Sequence, residues 1–448
     1  MFGFSARSIS NILFWITRKK WLILAFLMSI SFFYFPSPEG LSPEGHRTLI
    51  IVGVALVLII SESIPLPAVA ILILVMEVIL GVDDADGVAS SFMSDAVFFI
   101  MGSLMLAVAL VNQGLDKRLA LTVINITGNK TWRIILGFVA ISALLSSFIG
   151  EHTVGAMMLP VVLALIRNAG LSTNKATKLS TLLLFSIAYG CAIGSIGTPS
   201  GGGRNVIMIG YISEFGMGTI SYLDWMKFAY PMLLIEIPIV ASILWYSFTP
   251  EQKIMDSSVR KLKVKVAKTG RLTANQKLAI VIFFFVFLGW IFLSPIVGLG
   301  IVALSGVFLY LSFGLIEWRE INRSTNWGVI LLFGSAISLG IQMKETGAAL
   351  WVAEQTLYYL NIILKDATIV RWFVSVIITG LLTNLLSSAG TVAVLGPIIL
   401  DMGGEPIIMG IMTSISSAFA YLTVVASPTC MIIHSTGLIN SSDYFKAG

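Results

Sequence analysis

Glu151, His152 and Arg204 are ionisable residues in surroundings that are otherwise apolar or built from glycine. Glu151 and His152 interrupt a hydrophobic stretch running from Thr131 to Arg167, and Arg204 closes the segment Gly197-Thr198-Pro199-Ser200-Gly201-Gly202-Gly203. A guanidinium in such a place is a fixed positive charge able to hold a carboxylate or sulfate oxygen pair. Its other reading is a salt bridge with Glu151, because a buried charge left unpaired costs about 3–5 kcal/mol. Glu151 repels an anion unless it is protonated or cation-bound. It therefore reads as a sodium ligand, as a proton carrier of the kind intramembrane carboxylates often are, or as the structural partner of Arg204. His152 is able to donate to a substrate or to titrate near neutral pH, and equally to be a satisfied structural histidine.

The elements that must position these groups follow from composition. Of 448 residues, 57% are hydrophobic and 11% charged, against roughly 25% charged in soluble domains. With a mean hydropathy of +0.94 and apolar runs of spanning length recurring from Trp21 onward, the chain reads as an all-α polytopic membrane protein without a sizeable water-soluble domain. The net charge of +5 sits in short loops beside apolar segments, as the positive-inside bias predicts, so no nucleic-acid partner is expected. Cys191 and Cys430 both fall in apolar segments and predict no disulfide framework. With His46, His152 and His434 as the histidines, no metal cluster is expected, and Glu151-His152 lacks the spacing of a zinc protease. An intramembrane enzyme is not expected either: Ser387 and Ser388 have only His434 in their own half to act as base.

Apolar runs at about 21–35, 48–62, 65–81 and 94–112 alternate with the basic N-terminus (Arg7, Arg18, Lys19, Lys20), the acidic loop of Asp83, Asp84, Asp86 and Asp95, and a polar stretch with Asp116, Lys117 and Arg118. No small-residue cleavage site lies between Phe35 and Pro43, so the first span is expected to be retained. The N-terminus and the basic loop 251–277 (Lys253, Arg260, Lys261, Lys263, Lys265, Lys268, Arg271, Lys277) are placed in the cytoplasm, and the plasma (inner) membrane is expected. Polarity in the middle of Thr131–Arg167 is reconciled with the bilayer by a re-entrant hairpin whose tip is buried in protein. The glycine-rich break before Arg204 predicts a discontinuous helix, whose free backbone groups suit an ion or anion site.

The same order of features recurs after the basic loop. Ser146 to Thr153 ahead of Pro160 aligns with Thr383 to Gly390 ahead of Pro397, and Phe99 to Leu104 aligns with Leu332 to Ile337. Gly201 to Asn205 aligns with Ala426 to Cys430. The expected organisation is an N-terminal interfacial segment and first helix over 1–47, then a first repeat over 48–250 with hairpin 131–168 and broken helix 178–211. The loop 251–277 follows, then a second repeat over 278–448 with hairpin 366–402 and broken helix 406–437. With spans at about 278–294, 298–315 and 327–343, the two hairpins enter from opposite faces, which makes the repeats inverted. Asp224 to Ala229, which begin the last helix of the first repeat, match 443–448, so the second repeat is expected to lack its last helix. Glu62 and Glu236 read as interfacial or helix-packing carboxylates.

On Leu104 to Arg118, Ser186-Ile187-Ala188-Tyr189-Gly190, Trp327 to Gly334 and the paired hairpins and breaks, the sequence resembles the divalent anion/sodium symporter family, which carries dicarboxylates, citrate and sulfate. The resemblance implies elevator-type alternating access, a homodimer, a small anionic substrate and sodium as coupling ion, with a proton as the alternative. In that family each hairpin tip carries Ser-Asn-Thr and each break a Thr-Pro-Pro-like turn; here the tips read Gly150-Glu151-His152 and Ser387-Ser388-Ala389, and the breaks Gly202-Gly203-Arg204-Asn205 and Ser427-Pro428-Thr429-Cys430. Carried over position by position, the resemblance gives His152, Gly202, Arg204, Ser388, Ala389, Ser427 and Pro428 for the substrate. It gives Ser146, Gly150, Glu151 and Gly201 for a first ion and Thr383, Ser387 and the Ala426 carbonyl for a second. A proton symporter or a sodium-independent exchanger on the same fold is the alternative function.

Overall fold

The computed structural model describes residues 19–115, 118, 127–169, 176–256, 259–260, 271–424 and 426–448. Arg7, Arg18, Asp116, Lys117, Lys261, Lys263, Lys265 and Lys268 lie outside the described residues. The described chain is helical throughout, apart from loops and one isolated bridge between Lys130 and Ile254.

Helix α1 spans Lys20–Tyr34, α2 Pro43–Ser61 and α3 Leu66–Ile79. Ser42 begins α2 by accepting the Gly45 N–H at 2.9 Å, with Pro43 in the first turn where its missing N–H costs nothing. The stretch carrying Asp83, Asp84 and Asp86 is not a plain loop. Asp84 accepts the Gly87 N–H at 2.7 Å and starts a short helix, α4 (Ala85–Phe92). Asp95 opens α5 (Asp95–Asn112), and its two carboxylate oxygens each accept, at 3.0 Å, an N–H from Leu299 and Gly300 at the start of α12 (Leu299–Ser312). A negative charge on the free N–H groups of a helix start is favourable. It fixes the register in which α5 and α12 pack, with Gly102 against Ala303.

Helices α6 (Thr131–Ile149) and α7 (Glu151–Asn168) are joined by the single residue Gly150, whose φ of 90° is reserved for glycine. Next comes α8 (Lys178–Gly194), buried along its whole length from Leu179. A helix apolar on all sides belongs in an interior. Its glycines Gly190 and Gly194, four apart, let α6 approach closely: a Cβ at Gly190 would lie 2.7 Å from the Val139 carbonyl, and one at Gly194 2.5 Å from the Ala143 Cα. Small residues at such spacing are how helices without a hydrophobic drive from water gain contact. Then follow a short 3₁₀ turn at Pro199–Gly201, α9 (Gly203–Glu214) and α10 (Tyr222–Ser247).

The remainder comprises α11 (Ala274–Phe292), α12, α13 (Trp318–Ser324), α14 (Trp327–Glu345) and α15 (Ala348–Leu364). Helix α16 (Ala367–Leu382) contains a π-helical stretch at Phe373–Ile378. After it come α17 (Ser388–Asp401), α18 (Pro406–Ser416), α19 (Pro428–His434) and α20 (Ser441–Ala447). Six of the described helices (α2, α5, α6, α10, α11 and α14) are long and apolar enough to cross a membrane. One apolar core joins α5–α12 with α19 and α20; a second joins α2, α3, α14, α15 and the base of α16–α17. Leu234, Ile235, Ile239, Phe284, Phe285, Tyr358, Tyr359 and Ile363 point outward from α10, α11 and α15. Apolar side chains exposed in this way have lipid as their natural surroundings.

Candidate functional site

The break between α8 and α9 is held open by side chains that take over the helical hydrogen bonds. Asn205 Nδ2 donates to the carbonyls of Ser195 and Thr198 at 2.8 Å each, and Trp225 Nε1 donates to that of Ile196 at 2.8 Å. Thr198 Oγ1 donates to the Ser147 carbonyl, tying the break to the last turn of α6. Gly201 and Gly203 are required by close approach: a Cβ at Gly201 would lie 2.9 Å from the Ser147 carbonyl, and one at Gly203 would overlap the Phe333 ring of α14. The break between α18 and α19 is organised at Phe419 and Leu422 by Asn384 at the end of α16. Its Nδ2 donates to the Phe419 carbonyl at 3.1 Å, and its Oδ1 accepts the Leu422 N–H at 2.8 Å.

Each hairpin tip meets the half-helix that belongs to the other hairpin. Thr429, in the first turn of α19, donates to the Glu151 carbonyl at 3.2 Å, and a Cβ on Gly155 would run into its side chain. Conversely Ser388, the first residue of α17, accepts from Arg204 Nη1 of α9 at 3.1 Å. The first tip, the first break and the second tip thus converge on Arg204.

Arg204 is only 2% exposed. Its Nη2 donates to Ser195 Oγ, and its Nη1 lies 4.0 Å from Glu151 Oε1, too far for a hydrogen bond. Nε is buried without a partner among the described residues. A guanidinium has five N–H groups to place; among the described residues two hydroxyls and a distant carboxylate are all that answer it. Glu151 is 6% exposed, and its carboxylate makes no hydrogen bond among the described residues. His152 Nδ1 is 3.9 Å from the same oxygen, and its side chain, 44% exposed, faces open space. Glu236 of α10 and Tyr421 of the second break each bury a side-chain oxygen without a partner among the described residues.

Of the residues expected at the substrate, Arg204, Ser388, His152 and Gly202 are gathered here; a Cβ at Gly202 would touch the guanidinium carbon at 3.5 Å. Ser427 instead caps α19 by accepting the Thr429 N–H at 3.3 Å, with Pro428 as the first helical residue. Among the described residues no hydrogen bond joins Ser387, Ser388 or Ala389 to Ser427 or Pro428. Of the first ion set, Gly150 and Gly201 are neighbours, a Cβ on the former lying 3.8 Å from the carbonyl of the latter. Ser146 Oγ donates to the Cys191 carbonyl at 2.7 Å. Of the second set, Thr383 Oγ1 donates likewise to the Ser417 carbonyl at 2.8 Å; Ser387 caps α17 through the Gly390 N–H at 3.2 Å, and Ala426 is fully buried. A hydroxyl that donates to a carbonyl keeps its lone pairs for a cation. Ser195, Asn205, Asn384 and Thr429 were outside the expected set. The signal for Asn205 was present, a side-chain amide following a glycine run; Ser195 reads like any helical serine.

Residues 16–448 match the family described as the sodium:sulfate symporter transmembrane region. The chain is 26% identical over 445 residues to the sodium-dependent high-affinity dicarboxylate transporter 3 of Caenorhabditis elegans, covering 89% of this chain and 79% of that protein. It is 27% identical over 455 residues to the sodium-dependent dicarboxylate transporter SdcS of Staphylococcus saprophyticus, covering 95% and 86%. A transporter of Haemophilus influenzae without assigned substrate is 25% identical over 448 residues, covering 95% and 93%.

Proposed function

We propose, from the premise that this chain belongs to the sodium:sulfate symporter family, that it is a secondary active transporter moving a small dianion across the membrane, a dicarboxylate before a sulfate-like oxyanion, driven by sodium. The family and its named relatives make it a membrane transporter of anions and not an enzyme. The dicarboxylate and sodium assignments draw on the names of the relatives at 26–27% identity. The observation that carries the anion assignment is Arg204: a buried guanidinium with Nε unspent and hydroxyls for its hydrogen-bond partners. A carboxylate or sulfate entering between the two tips supplies the acceptor that Arg204 lacks, with Ser388 and His152 beside it. Among the described residues gathered around Arg204, which together form the anion chamber of this reading, the guanidinium is the fixed positive charge, and charge-assisted, bidentate contacts are the strong ones.

Glu151, with the Gly150 and Gly201 backbone and the free lone pairs of Ser146, forms an all-oxygen site suited to sodium. Thr383, Ser387 and the Ala426 carbonyl form the second. In this reading the two hairpins enter from opposite faces, alternating access carries the chamber across the bilayer in an elevator motion, the transporter works as a homodimer, and the loop 251–277 is cytoplasmic.

Uptake of labelled succinate and sulfate into proteoliposomes tests this, under an inward sodium gradient or under a pH gradient without sodium. Sodium-driven succinate uptake, lost in Glu151→Gln, is the expected result. Drive by the pH gradient alone would overturn the sodium assignment, and absence of uptake for both anions would overturn the substrate class.

A further inference from the structure

Glu77 lies on α3, apart from the chamber, and is fully buried. Its Oε2 accepts from Ser338 Oγ of α14 at 2.8 Å, and its Oε1 has no partner among the described residues. No Lys, Arg or His nitrogen lies within 4.0 Å of it among those residues. The elements packed around it offer little to hold a charge. From α2, Arg47 spends Nη1 on the Leu80 carbonyl at 3.1 Å. From α14, the Gln342 amide is taken by Asp83 at 2.6 Å, and from α9 the Tyr211 hydroxyl donates to the Ala336 and Ala393 carbonyls at 2.7 and 3.0 Å. Asp83, the nearest other carboxylate in this network, is of the same sign. An ionised carboxylate in an apolar interior with one hydroxyl for company is strongly disfavoured, and taking up a proton is the usual escape.

The surroundings also contain a route for that proton. Ser338 Oγ is 3.0 Å from Ser91 Oγ of α4, and Ser91 Oγ is 2.9 Å from the Gly87 carbonyl. Ser91 is half-buried and sits on the short helix that follows Asp83 and Asp84 and contains Asp86.

We propose that Glu77 is a proton-binding site separate from the anion chamber, loaded from the acidic rim of α4 through the hydroxyls of Ser91 and Ser338. In the acid form the Glu77 O–H donates to Ser338, Ser338 to Ser91, and Ser91 to the Gly87 carbonyl, so every hydroxyl hydrogen has an acceptor. In the ionised form the first two bonds reverse. Loading takes one proton from hydronium at the rim: Ser91 receives it and passes its own hydrogen to Ser338, which passes its own to Glu77. One water is left outside, and both hydroxyls are restored. Ser338 lies on α14 between Ala336 and Gly340, the two residues against which Tyr211 of α9 rests. The loaded acid therefore bears on the helix that also supports the half-helix carrying Arg204. None of this depends on which anion occupies the chamber.

Infrared difference spectra of the full chain in lipid at neutral pH, wild type minus Glu77→Gln, test the proposal. The expected result is a protonated-carboxyl stretching band present in the wild type and lost in the variant; identical spectra in that region would overturn it. In Ser91→Ala the band is expected to persist while its shift on transfer to D₂O slows, and an unchanged rate would overturn the relay. Should Glu77→Gln not fold, Ser338→Ala is the second reading. Loss of the hydroxyl that the acid faces is expected to shift the same band upward, and an unmoved band refutes the assignment.

Discussion

Replacing Arg204 is the most direct perturbation of the chamber. In the structure its head group holds Ser388 at 3.1 Å, holds Ser195, and leaves Nε idle. Arg204→Met removes two charge-assisted hydrogen bonds, each contributing about 1.5–3 kcal/mol. It also removes a buried ion whose desolvation penalty is of order several kcal/mol. These oppose each other, so fold stability should change by less than about 2 kcal/mol. Binding has no such offset: deleting one partner of a buried charge pair costs about 2–5 kcal/mol. At about 1.4 kcal/mol per decade, that is roughly thirtyfold to several thousandfold in affinity for a dianion. Arg204→Lys should fall between, since an ammonium keeps the charge but not the planar fork. The assay is the succinate concentration dependence of uptake in proteoliposomes, paired with the thermal shift that saturating succinate produces in detergent. A KM within about threefold of wild type, with the ligand-induced shift intact, would refute the role of Arg204 as anion receptor. Restoration of a melting loss by Arg204→Met combined with Glu151→Gln would then identify the pair as structural.

Three further outcomes follow from the local geometry. Gly203→Ala places a methyl in the Phe333 ring, so a loss of about 1–3 kcal/mol is expected in thermal or denaturant unfolding, with partial rescue by Phe333→Leu. Asn205→Ala strips donors from the Ser195 and Thr198 carbonyls and an acceptor from Ser414, which now donates to it at 3.0 Å; a cost of about 2–4 kcal/mol is expected, and unchanged melting would show that the break is held by other means. Asp366 caps α16 by accepting the Thr368 and Ile369 N–H groups at 2.6 and 3.2 Å, and these hold its carboxyl below the usual carboxylate range. Because the folded value is the lower one, its contribution is complete above that range and fades as pH falls through it. Protection factors at the start of α16, exchange rates taken relative to the intrinsic rate at each pH, should fall on acidification in the wild type and lose that pH dependence in Asp366→Asn.

Hydropathy and glycine placement made the long apolar helices and the discontinuities at Gly150 and Gly197–Gly203 legible, because a bilayer leaves a helix few ways to stop. Two helices escaped that reading for physical reasons. Helix α4 hides in an acidic segment, where Asp84 as cap outweighs a polar composition; α15 falls between the expected span 327–343 and the expected hairpin 366–402 and belongs to neither. At the site the ionisable residues announced themselves by being out of place. Their partners are remote in the chain: Ser388, 184 positions from Arg204, is reached only through the resemblance, and Thr429, 278 positions from Glu151, lies in the expected second break but outside the expected site set. In the sequence Glu77 is a lone carboxylate near the end of an apolar run. Only the packing of α3 on α14 shows it enclosed.

The crosswise docking of each tip on the opposite half-helix bears on how such a protein can change over generations. A substitution at Gly155 is felt at Thr429, whose side chain a Cβ there would meet, and one at Ser388 is felt at Arg204, so neither tip is free to drift toward a new cargo alone. Interlocking the two tips this way makes them a single heritable character, altered in matched pairs or not at all. A library aimed at changing cargo should therefore randomise 155 with 429 and 204 with 388, since sampling one partner at a time visits mostly mismatched pairs.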